Sequence, residues 1–190
     1  MKEILLIGGG GHCRSVIDVI ELEGKFKIAG IVDKKELIGQ SVLGYKIIAC
    51  DDDLKKLREK YEFAFISIGH VYSNIARVKL LQKLKELNFI LPTIISPLSY
   101  VSKHATLAPG VVVMHHALIN AAVSIGENSI VNSKALIEHD CIVEDNVHIS
   151  THATLNGGVT VKKSSFVGSG SVAREGVEIS GFIKMQEGVV

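Results

Sequence analysis

From Ile95 onward an aliphatic residue returns at every sixth position: Val101, Leu107, Val113, Ile119, Ile125, Val131, Ile137, Val143, Ile149, Leu155, Val161, Val167, then Ala173, Ile179 and Met185. A second series, four residues behind each of these, runs from Ala105 through Val111, Ala117, Cys141 and Val177 and holds only small or β-branched side chains. A helical period would scatter both series around a cylinder. A period of six, with one large and one small inward position, fits short strands joined by corners, three to a coil, with the aliphatic groups filling a triangular interior. The sixteen hexads counted from Ile95 to Met185 therefore predict a parallel β-helix in one unbroken register, its coils stacked at roughly 4.8 Å.

The first 90 residues follow another rhythm. A hydrophobic strand over Lys2–Ile7 runs into Gly8, Gly9, Gly10 and Gly11, and His12–Leu22 carries apolar residues at Val16, Ile17, Val19 and Ile20, as an amphipathic helix does. Further strands are predicted over Phe26–Val32, ending at Asp33, and Phe63–Ile68, closing on Gly69, with helices over Asp51–Tyr61 and Ser73–Leu87. Alternating strands and helices predict a small Rossmann-like parallel sheet with a ligand crevice at the carboxyl ends of its strands. The chain is thus expected to form two domains, residues 1–90 and 91–190.

Composition narrows the partners. Lys and Arg number 21 against 20 acids, so no basic excess marks a nucleic-acid binder. The apolar run Ile4–Ile7 is too short for a signal-peptide core and nothing approaches a membrane span, which predicts a cytoplasmic protein. Cys13, Cys50 and Cys141 lack metal or redox spacing and read as reduced thiols.

Candidate chemistry sits in two places. The four glycines let backbone amides approach a phosphate at a helix N-terminus, which suits a nucleotide or sugar phosphate; a tight turn alone needs them equally. Asp33 fits a ribose partner and a turn residue alike. In the repeat, His115, His116, His139 and His152 fall at outward corners. Residues eighteen apart stack, so His139 lies between Ala121 and Gly157, and Asp140 between Ala122 and Gly158. A histidine and an acid beside stripped neighbours leave room for a ligand, while a solvated corner or subunit contact is the plainer alternative. His116 and His152 share a column with Lys134 between them, which argues against a shared metal. Cys141 occupies a small inward position and is expected to pack rather than react.

ILLIGGGGHCRSVID over Ile4–Asp18, the Ile95–Ile119 stretch and VNSKALIEHDCIVEDNVHIS over Val131–Ser150 resemble the bacterial sugar O-acyltransferase family, which includes sialic acid O-acetyltransferases and UDP-4-amino-sugar N-acetyltransferases. The resemblance spans nearly the whole chain and implies a left-handed β-helix. It implies acetyl-CoA as co-substrate, a nucleotide-sugar acceptor and a homotrimer with the acetyl-CoA cleft between neighbours. His139 would be the general base and Asp140, where relatives often carry Glu, its orienting carboxylate. His148 and Asn132 would lie at the cleft, and Gly157 and Gly168 would let the pantetheine arm run along the coils. Gly8, Gly9, Gly10, Gly11, His12, Asp33, Gly69 and Arg77 would hold the nucleotide sugar. No metal is implied. One departure is that no proline follows Pro109, where relatives carry a Gly-x-Pro-Ala-Lys type tail that helps hold CoA; a differently bound or impaired cofactor end is the expectation. Amine and hydroxyl acceptors both remain open, and a non-catalytic trimer that binds a sugar nucleotide or a partner enzyme is the rival from another class.

Overall fold

A computed structural model describes residues 1–183 of the chain. Strands β1 (Lys2–Ile7), β2 (Phe26–Val32), β3 (Ser41–Val42), β4 (Tyr45–Ala49) and β5 (Phe63–Ile66) form a sheet in the order β3-β4-β2-β1-β5, parallel except for β3. The residues that sequence periodicity assigned to β1 and β2 are those observed. The β3–β4 hairpin was not anticipated: it turns through Leu43 and Gly44, at φ 47° and 87°, a left-handed pair that matches the twist of two short strands. Three helices follow the strands: α1 (Gly11–Glu23), α2 (Leu54–Arg58), shorter than predicted because Asp51–Asp53 is a 3-10 turn, and α3 (Ile75–Glu86).

From β6 (Ile94–Ile95) onward, two-residue strands alternate with corners and build three all-parallel faces. Ile119 stacks on Ile137 and Leu155, and Val131 on Ile149 and Val167, each pair eighteen residues apart. The aliphatic and small series together form the interior, with Val113, Ile137, Cys141 and Leu155 all fully buried. Left-handed backbone recurs once per coil edge, at His116, Ala122, Asn128, Lys134, Asp140, Asn146, His152 and Ser164 among others. The predicted register needs one correction. After Ile179 the next strand comes two residues early, Phe182–Ile183 pairing with Phe166–Val167, because Gly181 at φ 78° closes a tighter turn. Met185, the last predicted ladder residue, lies outside the described residues.

One face of the prism carries Ile94, Val112, Met114 and Ile130, all fully buried against Cys13, Val16, Ile17 and Ile20 of α1. The N-terminal unit thus rides on a single face of the β-helix. Both edges of that face are pinned. At one edge Asp18 Oδ2 meets His115 Nε2 at 2.7 Å and His115 Nδ1 meets Ser96 Oγ at 2.7 Å; at the other, Lys85 pairs with Glu127 at 3.0 Å. Among the described residues no helix is long and apolar enough to cross a membrane.

Candidate active site

Two separate constellations emerge. The first is the glycine loop. Gly8, at φ 105°, has no room for a side chain, since a Cβ there would sit 2.1 Å from Ile68 Cγ2. Gly10 and Gly11 face open space, and α1 starts with no side-chain cap and no acid in its first turn. Uncapped amides and the helix dipole make that end attractive to an anion. Beside it, at the carboxyl ends of the parallel strands, lies a cavity of about 540 Å³ bounded by Gly8, Val32, Asp33, Lys34, Asp51 and Ile68 among others.

Of the residues expected to hold a nucleotide sugar, Gly8 and Asp33 line this cavity. The Asp33 carboxylate is already engaged: Oδ2 accepts from the Gly9 amide and Oδ1 from the Lys34 amide at 2.7 Å, so it shapes the loop. Gly9, Gly10, Gly11 and His12 form the loop and first turn beside the cavity, and Gly69 packs against the His12 ring. Arg77 requires a correction. Only 1% exposed, it donates to the carbonyls of Ile66 and Ile68 at 2.7 Å and of Asn128 at 3.1 Å. It ties the end of β5 to the β-helix, and burial pulls its pKa down to about 9. A ligand in the crevice cannot reach it.

The second constellation is the corner at His139 and Asp140. Asp140 takes the left-handed position, φ 62°, and from there its shorter side chain still reaches His139: Oδ2 lies 2.8 Å from Nδ1. That hydrogen bond, with the Asp140 and Glu138 charges behind it, raises the His139 pKa above its ordinary value. With Nδ1–H donated to the carboxylate, Nε2 is left as the proton acceptor. The ring lies over Gly157, where a Cβ would stand 2.7 Å from Cε1 and 2.9 Å from Nε2. Gly157→Ala is therefore expected to displace the imidazole and reduce transfer roughly a hundred-fold with an unchanged melting temperature; full activity in a steady-state assay would exclude this role for the glycine.

Cys141 is buried beneath this corner, its Sγ donating to the Asn156 carbonyl at 3.1 Å, and burial pushes the thiol pKa up. It packs, as its hexad position implies. His148 and Asn132 are on a different side of the prism from His139. They stand on the face covered by the N-terminal unit, where His148 is 5% exposed. Its Nδ1–H donates to the His70 carbonyl at 2.7 Å, and its Nε2 accepts from Asn132 at 3.1 Å, which fixes a neutral ring. Gly168 is stacked in the column of Asn132 and Ser150, also away from His139. Among the described residues no three His, Cys, Asp or Glu side chains gather as metal ligands would. Sequence reasoning missed Lys34, Asp51 and Asp52 as cavity residues; their position at strand ends was the available signal, and the acids had instead been assigned to a helix start.

Comparisons with known proteins agree with this architecture. The family model described as PglD N-terminal domain matches residues 3–84. GDP-perosamine N-acetyltransferase of Escherichia coli O157:H7 is 24% identical over 177 residues, covering 90% of this chain and 78% of that protein. The acetyltransferase domain of PglB from Neisseria gonorrhoeae superposes with a TM-score of 0.89 at 26% identity, over 97% of this chain and 89% of that one. It has also been solved with acetyl coenzyme A. PerB from Caulobacter crescentus, in complex with CoA and GDP-perosamine, gives a TM-score of 0.78 at 30% identity over 97% of this chain and 94% of that one.

Proposed function

The chain belongs to the hexapeptide-repeat sugar acyltransferases, as an acetyltransferase that uses acetyl-CoA, and from that premise we propose that it N-acetylates a nucleotide-linked amino sugar in bacterial surface-glycan biosynthesis, with His139 as general base. The observation that carries this reading is the His139–Asp140 pair resting on Gly157, with an unencumbered Nε2. Two relatives, the GDP-perosamine N-acetyltransferase of Escherichia coli O157:H7 and the perosamine N-acetyltransferase of Caulobacter crescentus, act on an amino sugar, which favours an amine over the hydroxyl of a sialic-acid-like acceptor.

The mechanism is direct transfer. The acceptor amine attacks the thioester carbonyl while His139 Nε2 takes its proton, and Asp140 stabilises the imidazolium that forms. Collapse of the tetrahedral species expels the CoA thiolate, which takes the proton from the His139 imidazolium and returns the ring to its neutral form. No acyl-enzyme is needed, because a thioester is already activated, and a backbone amide can hold the oxyanion. CoA would run along the outside of the coils past the side-chain-free Gly157, with Gly168 allowing its passage on a neighbour.

The same reading extends to a homotrimer, which the placement of His139 supports. His139 sits at the corner between the two faces that the N-terminal unit does not cover, opposite the face that carries the nucleotide cavity. One protomer cannot bring its own base to its own cavity. In the homotrimer of this reading, the His139 corner of one copy meets the nucleotide cavity of the next. Incubating the protein with acetyl-CoA and a panel of nucleotide-linked 4-amino sugars is expected to release free CoA thiol. Absence of release with every amine, together with release from a nine-carbon sugar alcohol, would overturn N-acetylation. Absence of any CoA binding by calorimetry would favour the non-catalytic trimer.

A further inference from the structure

The two faces of the prism that the N-terminal unit leaves bare are chemically unlike. Along one, the outward residues Tyr100, Leu118, Leu136, Thr154 and Val172 stack at intervals of eighteen. All but Thr154 are aromatic or aliphatic, and Tyr100 and Val172 are 59% and 68% exposed. Along the other run Thr106, Ser124, Ile142, Thr160 and Glu178, beside a charge ladder closed within the chain, Lys162 pairing with Glu144 at 3.1 Å and with Glu178 at 3.3 Å. Apolar surface continuous along a whole stack marks a contact face.

That apolar face is bounded by two corners of opposite charge. At one, Glu138 and Asp140 flank His139. Each spends one oxygen inside the chain, Glu138 Oε2 accepting from the Asn120 amide at 2.7 Å and Asp140 Oδ2 from His139 Nδ1, and among the described residues neither acid pairs with a lysine or arginine. At the other corner His116, Lys134 and His152 stack in one exposed column of left-handed backbone, and among the described residues none of the three meets an acid. This second corner is the edge pinned by Asp18 and His115, along which α1 climbs from Glu23, beside Ile95, to the glycine loop. Lys134 and His139 belong to one coil, five residues apart, and so stand at similar height.

Copies related by rotation about an axis parallel to the prisms keep equal heights side by side. With the apolar faces turned to that axis, the acidic corner of each copy meets the basic corner of the next. Resting on the homotrimer reading above, we propose that Lys134 of one copy is a positioning residue for His139 of its neighbour, its ammonium taking the free oxygens of Glu138 and Asp140. A like copy is the occupant because the base and the glycine loop lie on different sides of one protomer, and this packing sets them together. The groups around the His139 ring are then Glu138 and Asp140 from its own coil, Gly157 above, the buried Cys141 thiol beneath, and Lys134 of the next copy with His116 and His152 one coil to either side. The acids favour the imidazolium and Lys134 opposes them. The neighbour thus keeps the base neutral at lower pH than its own chain alone would.

Sedimentation of the wild-type protein is expected to give a trimer. Lys134→Asn, which suits the left-handed backbone at that corner, is expected to move the rising limb of kcat/KM to higher pH by roughly half a unit, the scale of an exposed ion pair. Glu138→Gln moves the limb to lower pH, and Lys134→Arg leaves it in place; a residue that only held the fold would give no such opposite displacements. A mixed trimer of Lys134→Asn with excess His139→Ala shows whether the effect crosses between copies. Every working base then comes from a Lys134→Asn copy and most face an intact Lys134 next door, so the limb returns to its wild-type position. A limb unmoved by Lys134→Asn, or one that stays displaced in the mixed trimer, overturns the proposal. A monomeric wild-type protein that still transfers acetyl overturns it too and leaves the acetyltransferase reading standing, whereas a trimer that acetylates no amine sinks that reading and the proposal with it. Should Lys134→Asn fail to fold, Lys134→Gln serves in the same assays.

Discussion

His139→Ala is expected to lower kcat/KM for acetyl transfer by roughly 10²- to 10⁴-fold, the range that a positioned general base contributes, without loss of fold. The side chain is 62% exposed at an outward corner, and no core contact goes with it. The informative measurement is the pH profile. The base acts in its neutral form, so kcat/KM rises with pH and levels off above the His139 pKa. Because the Asp140 hydrogen bond raises that pKa, the rising limb lies at higher pH than an isolated imidazole would place it. In Asp140→Asn the limb should shift to lower pH while the plateau falls, since Asn can no longer stabilise the imidazolium. The same acceptor in both assays removes the contribution of its own amine. A profile unmoved by Asp140→Asn, or an alanine variant with full activity, sinks the assignment.

The hexad ladder was legible because every inward position repeats the same demand, so even Cys141 could be sent inside and His139 outside before any coordinates. What the ladder could not show is which face the N-terminal unit would cover. That choice depends on pairing Val112, Met114 and Ile130 with the apolar side of α1, contacts about a hundred residues apart in sequence. It is why Arg77 read as a cation near the crevice and proved to be a buried link among three carbonyls, and why the His70 carbonyl over His148 was not legible. The Asp18–His115–Ser96 chain was hidden for the same reason. Local conformation accounts for the smaller misses: Leu43 accepts a left-handed φ that its side chain does not advertise, and Gly181 shortens a corner that periodicity alone would have kept.

Acid should separate or unfold the two units at pH values where most carboxylates are still ionised. Burial, with the nearby Arg77 charge, lowers the pKa of His12 to about 3; burial, with His148 and Arg77 beside it, lowers His70 to about 3. Burial also brings His148 to about 4. The rings gather where the glycine loop, the segment after β5 and the β-helix meet, His70 and His148 at 5.3 Å between centroids. The His12 Nε2 is shielded from solvent with no hydrogen-bond partner among the described residues. A histidine whose folded pKa is depressed takes up its proton first in the unfolded chain, so its stability contribution is intact above about pH 6.5 and is lost as pH falls toward the folded value. Between neutral pH and pH 5 that loss is about 2 kcal/mol for each ring. Three such rings amount to a large share of the roughly 5–15 kcal/mol that holds a typical domain together. Thermal melts from pH 8 to pH 5 are therefore expected to show a Tm falling by about 10 °C or more, steepest below pH 6.5. His148→Gln, which can keep a donor toward the His70 carbonyl but cannot titrate, should flatten that slope by about a third if the rings act independently. A Tm constant across the range would mean that these histidines protonate without opening the interface.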